Sequence, residues 1–292
     1  QLSVTDANGC TGTDTIVVVV HALPVANAGA DDSICQNLSL QLNGSATGGN
    51  GSYTYAWTPA LDLSDASIAD PVADPTSTTT YTLTVTDSLG CSDLDDMALT
   101  VLLLPTVNAG TDDRTCLNSP KQLNATVNGG NGTYNYSWSP VGSLNQTNVE
   151  DPVATPLAAT TYVLLATDSK GCTASDDVAI SVDGLPVADA GADSVEICLN
   201  NSVQLNGSAS GGTAGYNYLW TPNSRINNVN INNPVVNPLS TDTYQLSVTD
   251  ANGCTGTDTI VVVVNALPTA TAANNGPLCA GDSLQITGGA NG

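Results

Sequence analysis

Residues 48–60 read GGNGSYTYAWTPA and residues 79–91 read TTYTLTVTDSLGC, and together they carry the pattern of an all-β module. In both runs Thr, Val, Leu and Tyr alternate with small or polar residues, between clusters of Gly, Asn, Asp and Pro. A period of two bounded by turn formers marks half-buried strands. Trp57 ends the first run and Tyr81 opens the second, 24 residues later. The same spacing returns at Trp138 and Tyr162, and at Trp220 and Tyr244. A buried Trp on the third strand and a Tyr near the start of the sixth are landmarks of immunoglobulin-like sandwiches. These six residues are expected in the core. The pairs Tyr53/Tyr55, Tyr134/Tyr136 and Tyr216/Tyr218 share a face with the Trp. They read equally well as core and as a stacking surface for glycans.

Outward from these runs, PVANAGADDSIC (24–35), PTVNAGTDDRTC (105–116) and PVADAGADSVEIC (186–198) open near-copies of a unit 81 or 82 residues long. Residues 1–20, QLSVTDANGCTGTDTIVVVV, recur letter for letter at 245–264. Self-similarity at a fixed period indicates an array of stacked modules. The expected division is three complete modules at 24–104, 105–185 and 186–267. Residues 1–23 are then the C-terminal part of one more module and 268–292 the N-terminal part of another, so the chain is expected to be a piece of a longer array. In the first unit, VANAGADDSIC reads as a strand kinked at Gly29, SLQLNGSA as the second and YTYAW as the third. LDLSDASIADPVADP reads as irregular, TTYTLTVTD as the longest strand, and SDLDDMALTVLLL as the strand that leaves the unit. Seven or so short strands in about 80 residues predict an all-β, antiparallel sandwich.

Net charge is −23 although only 11% of residues are charged, so the surface is mostly Asn, Thr, Ser and Gly. Four basic residues, Arg114, Lys121, Lys170 and Arg225, are too few for a phosphate-binding stripe. Nucleic acid is excluded as a partner, and contact with an anionic membrane is not expected. The VVVV run at 17–20 is too short to cross a bilayer. The single histidine, His21, does not recur at its repeat position, so Ser-His-Asp and Cys-His machinery is missing and no enzyme is expected.

Eight cysteines fall at 10, 35, 91, 116, 172, 198, 254 and 279, two per module, with no CxxC. They read as disulfides of an extracellular chain. Intramodule pairing (Cys35–Cys91, Cys116–Cys172, Cys198–Cys254) is the simplest scheme. However, Cys35 precedes the second strand and Cys91 follows the sixth, and these two strands run in the same direction. The thiols would then lie about 25–30 Å apart, whereas a disulfide needs Cα atoms within about 7 Å. In a head-to-tail array the Cys35 end of one module faces the Cys172 end of the next. Cys35–Cys172 and Cys116–Cys254 are therefore preferred, with Cys10, Cys91, Cys198 and Cys279 left for modules outside the chain. Intramodule bonds, and free or interchain thiols, stay open as alternatives. The joints ALP (22–24), LLP (103–105), GLP (184–186) and ALP (266–268) are short and apolar, leaving little hinge freedom.

Aspartates recur at the module ends: Asp31 and Asp32, Asp112 and Asp113, Asp193, with Asp87, Asp168 and Asp250 in the turns after the sixth strand. Grouped oxygen ligands are suited to Ca²⁺. Asp31, Asp32, Asp112 and Asp113 are the candidate ligands, against the ordinary role of Asp in turns. No other cofactor is expected.

The Y-x-W-(T/S)-P segment, the (D/N)-P-V-x-x-P segment and T-Y-x-L followed by T-D-x-x-G-C resemble the PKD-like, immunoglobulin-like repeats of large Bacteroidota surface proteins, including gliding-motility adhesins. The resemblance covers essentially the whole chain. The W-D-F-G-D-G signature of the PKD type is replaced by WTPALDL, WSPVGSL and WTPNSRI, which favours the broader PKD-like group. The resemblance implies a secreted, cell-surface stalk or adhesin without enzymatic activity. Its partners would be neighbouring modules, other copies in a filament, and a glycan or protein at the distal end. Asp-(Ser/Thr)-aliphatic triplets resemble that group's O-glycosylation motif, which makes Ser33, Ser88, Ser194, Thr15 and Thr259 candidate glycan sites.

Overall fold

The computed structural model describes residues 1–274, 276–283 and 285–291. Among them every regular element is a β-strand. β1 (Leu2–Thr5) and β2 (Thr11–Asp14) form a hairpin. The first sandwich comprises β3 (Pro24–Asn27), β4 (Asp32–Cys35), β5 (Leu40–Gln41), β6 (Ser45–Gly48), β7 (Thr54–Thr58), β8 (Val72–Ala73), β9 (Thr79–Thr86) and β10 (Ser92–Leu102). The second repeats that order in β11 (Pro105–Asn108), β12 (Asp113–Cys116), β13 (Lys121–Gln122), β14 (Thr126–Gly129), β15 (Tyr134–Ser139), β16 (Val153–Ala154), β17 (Thr160–Asp168) and β18 (Thr173–Asp183). The third does so in β19 (Pro186–Asp189), β20 (Ser194–Cys198), β21 (Val203–Gln204), β22 (Ser208–Gly211), β23 (Asn217–Thr221), β24 (Val235–Val236), β25 (Asp242–Thr249) and β26 (Thr255–Asn265). β27 (Thr269–Asn274) and β28 (Ile286–Asn291) close the chain as a second hairpin.

Each sandwich has one four-stranded sheet, ordered β4-β10-β9-β7 in the first. β10 is antiparallel to β9, β9 is antiparallel to β7, and β4 lies parallel to β10. The opposing layer pairs β3 with β6 and β5 with β8, both antiparallel. This is the two-layer arrangement of an immunoglobulin-like sandwich, repeated in tandem. Alternation explains the core. Tyr81, Leu83 and Val85 of β9, Met97 and Leu99 of β10, and Trp57 of β7 are buried together with Leu42 and Ala73 of the facing layer. The second and third sandwiches bury the equivalent sets around Trp138 and Tyr162, and around Trp220 and Tyr244.

Three strand readings change. The first expected strand is two strands in different layers, because Gly29 takes φ 94° and the Asn27 side chain accepts its N–H at 2.9 Å. Only a residue without Cβ enters that region freely. The second strand also divides, into β5 and β6. The longest strand is the last one, with 11 residues, and not TTYTLTVTD.

The stretch 61–75, expected to be irregular, carries β8 and a Leu63–Ala73 bridge, and its remainder is fastened by the tryptophan. Trp57 Nε1 donates to the Ile68 carbonyl at 3.1 Å, Trp138 to Val149 at 3.0 Å and Trp220 to Ile231 at 3.0 Å. Gly44 lies against the same ring, where a Cβ would stand 2.8 Å from Trp57 Cζ2, and Gly207 is equally confined. The middle sandwich carries Ala125 there. Its N–H donates to the Asp151 carboxylate at 2.8 Å, whereas Gly44 and Gly207 donate to main-chain carbonyls.

Candidate functional site

The junctions between sandwiches are the site, and two kinds of turn build them. The first kind follows β9, β17 and β25 and is ordered by one buried aspartate. Asp168 Oδ1 accepts the N–H groups of Lys170 and Cys172, both at 2.9 Å. Its Oδ2 accepts the N–H of Asn131 at 2.9 Å and the side-chain amide at 3.0 Å. Asp250 repeats the pattern with Asn252, Cys254 and Thr213, and Asp87 with Leu89, Cys91 and Asn50. One carboxylate therefore fixes the cysteine and ties its turn to the loop before β7, β15 or β23. Gly130 takes φ 58°, and a Cβ there would meet Asp168 Oδ2 at 2.8 Å, so both backbone and surroundings call for glycine.

The second kind of turn follows β4, β12 and β20. Gln36 N–H donates to the Leu102 carbonyl at 2.8 Å, and Leu38 N–H to the Cys35 carbonyl at 3.0 Å. Asn37, Asn118 and Asn200 occupy the left-handed position of this turn (φ 66°, 64° and 72°), which Asn tolerates better than most residues.

Strand direction separates the two cysteines of a module. Cys35 lies opposite Leu102, at the far end of β10, whereas Cys91 immediately precedes Ser92 at the near end. The 11 residues of β10 put about 35 Å between those ends. The bonds in the structure join consecutive sandwiches. Cys35 is bonded to Cys172 with Cα atoms 5.5 Å apart, and Cys116 to Cys254 with Cα atoms 5.6 Å apart. Cys10, Cys91, Cys198 and Cys279 are unbonded; Cys91 is half-buried and the other three are exposed.

Each candidate metal ligand accepts a main-chain N–H. Asp31 accepts from Ala98 N–H at 2.8 Å, and Asp112 from Ala179 N–H at 2.9 Å, which clips the crossover before β4 and β12 onto the last strand. Asp32 and Asp113 accept from the next residue's N–H at 2.7 Å, and Lys121 forms an ion pair with Asp113. The Lys121 hydrogen bond, then the Arg114 N–H, hold the Asp113 carboxyl below its ordinary value. Among the described residues, no group of three or more His, Cys, Asp or Glu is gathered to hold a metal ion.

Sequence reading missed a second set of aspartates. Asp95, Asp176 and Asp258 accept the N–H of Ala28, Ala109 and Ala190 at 2.8, 2.9 and 2.7 Å. Each pins the strand entering its sandwich just before the layer-switching glycine. Recurrence at one repeat position was the available signal. Tyr53, Tyr134 and Tyr216 are half-buried, and their hydroxyls donate to the Gly48, Gly129 and Gly211 carbonyls at 2.5–2.6 Å. Tyr55, Tyr136 and Tyr218 are half-buried against the core clusters. Ser33, Ser88, Ser194, Thr15 and Thr259 are all exposed.

Acid should loosen the junctions. Loss of water around Asp87 and Asp168 pushes their carboxyls up, but the hydrogen bonds they accept outweigh it, so both stand below the ordinary value. Asp250 is lowered chiefly by the Thr213 N–H. A depressed folded pKa contributes stability above the unfolded value of about 4. That contribution is lost as pH falls through the folded value. Thermal midpoints are expected to drop as pH falls below about 4, with the acid limb flattened in Asp168→Asn. Parallel acid limbs for the two proteins would contradict this role for Asp168.

No family model matches the chain. The decoration protein of Escherichia phage T5 is 40% identical over 85 residues, which cover 28% of this chain and 51% of that protein. The mouse dyslexia-associated protein KIAA0319-like protein is 28% identical over 324 aligned positions, covering 92% of this chain and 30% of that protein. The chain thus spans about half the length of the first and under a third of the second. Among solved structures, an I-band fragment of titin is 14% identical with a TM-score of 0.45, covering 86% of this chain and 100% of that one. The N-terminal eight Ig domains of Down Syndrome Cell Adhesion Molecule are 14% identical with a TM-score of 0.46, covering 90% and 39%. Among the described residues, no helix is long and apolar enough to cross a membrane.

Proposed function

We propose that this chain is a structural segment of a long extracellular filament or adhesin stalk, and that its work is to carry tension between an anchor and a distal contact. The observation that carries the reading is the pair of disulfides between consecutive sandwiches. A bond across a junction adds nothing to the packing of either core. It restricts how two modules move against each other and gives pulling force a second covalent path beside the linker. The joints add stiffness, since Pro105 and Pro186 open the next sandwich within three residues of the last strand of the previous one. The setting at a bacterial cell surface rests on the sequence resemblance. Disulfides persist in oxidising compartments, which suits that setting. The reading needs no cofactor and no catalytic residue. Its partners are adjoining modules, other copies in a filament, and a glycan or protein at the distal end.

A second reading is an adhesive module that binds through its inter-strand loops. It is favoured by segments 61–70, 142–150 and 223–233, which diverge on a constant Trp and Tyr frame.

Small-angle scattering of oxidised and reduced protein tests the stalk. Oxidised chains should give one narrow distribution of maximal dimension, and reduction should broaden it under conditions where strand content is checked to be unchanged. Superimposable curves would remove the stalk reading. Binding to a glycan array by the oxidised chain would favour the adhesive one.

A further inference from the structure

Residues 1–20 and 245–264 are the same twenty letters in opposite surroundings. In the third sandwich Leu246, Val248 and Val262 are 0% exposed and Ile260 is 4% exposed. Their counterparts Leu2, Val4, Val18 and Ile16 are 65%, 62%, 76% and 81% exposed. The first hairpin nevertheless holds the register of the buried one. Leu2 faces Asp14 and Val4 faces Gly12, as Leu246 faces Asp258 and Val248 faces Gly256. The part of the apolar face on residues 2–5 and 11–14 is therefore preformed and uncovered, while Ile16 and Val18 lie beyond β2, exposed and outside any strand.

The third sandwich specifies what covers it. There β23 lies beside β25 with Trp220 opposite Leu246 and Tyr218 opposite Val248. β20 runs parallel to the last strand, with Ser194 opposite Val261 and Cys198 opposite Asn265. β19 crosses over Gly256 so closely that any Cβ would run into the Pro186 carbonyl, and Asp258 takes the Ala190 N–H. At the first hairpin Gly12 has open space on that side, and Asp14 accepts from the Thr15 N–H beside it.

We propose that residues 1–21 are a docking surface for a half-module with the sequence of residues 186–244, and that the cysteine this half brings opposite His21 forms a disulfide with Cys91. Sequence distance along the repeat supports the second step. Cys35 lies opposite Leu102 and bonds Cys172, 70 residues further on; Cys116 lies opposite Asp183 and bonds Cys254, 71 further on. His21 to Cys91 is again 70 residues, through a joint of the same length. Asp87 holds the Cys91 turn by the same N–H groups that Asp168 and Asp250 use at the bonded cysteines. Bond formation removes two protons and two electrons from the two thiols. A disulfide oxidant such as oxidised glutathione takes them up and leaves as two thiols.

This rests on the stalk reading and extends it to a third junction. The test is the full chain lengthened at its N-terminus by a copy of residues 186–244, so that the added Tyr244 runs directly into Gln1. It is folded in a glutathione redox buffer and its disulfides are mapped without reduction. Cys198 of the added copy should pair with Cys91, and amide exchange at residues 2–5 should slow by about a hundredfold or more. In the lengthened chain Cys91→Ser should keep that protection and lose the bond, whereas Val4→Asp should lose both. Pairing of the added Cys198 with Cys10, a free Cys91, or unchanged exchange at residues 2–5 would overturn the inference. Cys35–Cys172 in the same digest separates the two ideas: if it is present while Cys91 stays free, only this inference falls, and if it too is missing, the stalk reading falls with it.

Discussion

Reducing Cys35–Cys172 and Cys116–Cys254 is expected to destabilise the middle sandwich more than either neighbour. The bonded residues are 137 and 138 positions apart, but those lengths are not the loops that matter. While the first sandwich stays folded, Cys35 sits opposite Leu102, so Cys172 is held beside the joint at 103–105. Unfolding the middle sandwich then releases a closed loop of about 70 residues instead of a free chain. The chain-entropy model gives about 4 kcal/mol for a loop of that size. The second staple acts on the same sandwich from the other side. Cys254 follows the turn aspartate Asp250, which lies close to Pro186 across Gly212, so Cys116 is held beside the next joint. The two loops overlap, so their contributions add to less than the sum. The first and third sandwiches are each closed by one staple only. Segment-resolved hydrogen exchange in denaturant, with and without reductant, reads the order. Equal shifts in all three sandwiches, or the largest in the first, would contradict this account.

The largest single-residue effect is expected from Trp138→Ala, about 3–5 kcal/mol. The side chain is buried in the middle core, and its indole N–H holds the Val149 carbonyl at 3.0 Å. Truncation leaves a cavity and frees the connector that Trp138 fastens. A sandwich of about 80 residues has only about 4–12 kcal/mol to lose. The middle module should therefore become protease-sensitive between two neighbours that persist. Trp138→Phe keeps most of the volume and loses the N–H, so it should cost less than half as much. Cleavage confined to the middle unit in the Ala variant and absent in the Phe variant is the expected pattern. Comparable cleavage in both would mean that the hydrogen bond outweighs the packing.

Much of this is legible in the letters. Alternation at 79–86 gives a strand buried on one face, and the structure buries Tyr81, Leu83 and Val85 there. Repetition of the Trp-to-Tyr spacing identifies one core written three times. The ambiguity of Tyr53 and its equivalents resolves at the end of the side chain. The ring packs on the core, while the hydroxyl reaches a carbonyl that only the folded loop places within 2.5 Å. The roles of the aspartates were less legible. Asp and Asn form turns so readily that a carboxylate near a junction looks alike whether it binds a cation or a backbone N–H. The choice depends on donors supplied by strands up to 68 residues away.

The array, the sandwich class and the core landmarks can be read from the letters, because they follow from periods of 2 and about 81 that need no knowledge of distant contacts. The sequence also favoured the two cysteines of a module lying at opposite ends, from strand direction, while intramodule bonds stayed open as an alternative. Tertiary structure alone decided the layer switch at Gly29, the aspartates that clip each entering strand, and the seating of one sandwich on the next that brings Cys35 to Cys172. The reason is physical: periodicity is a property of neighbours along the chain, whereas a disulfide or a capped N–H needs two atoms within a few ångströms, and only the packed molecule sets that distance.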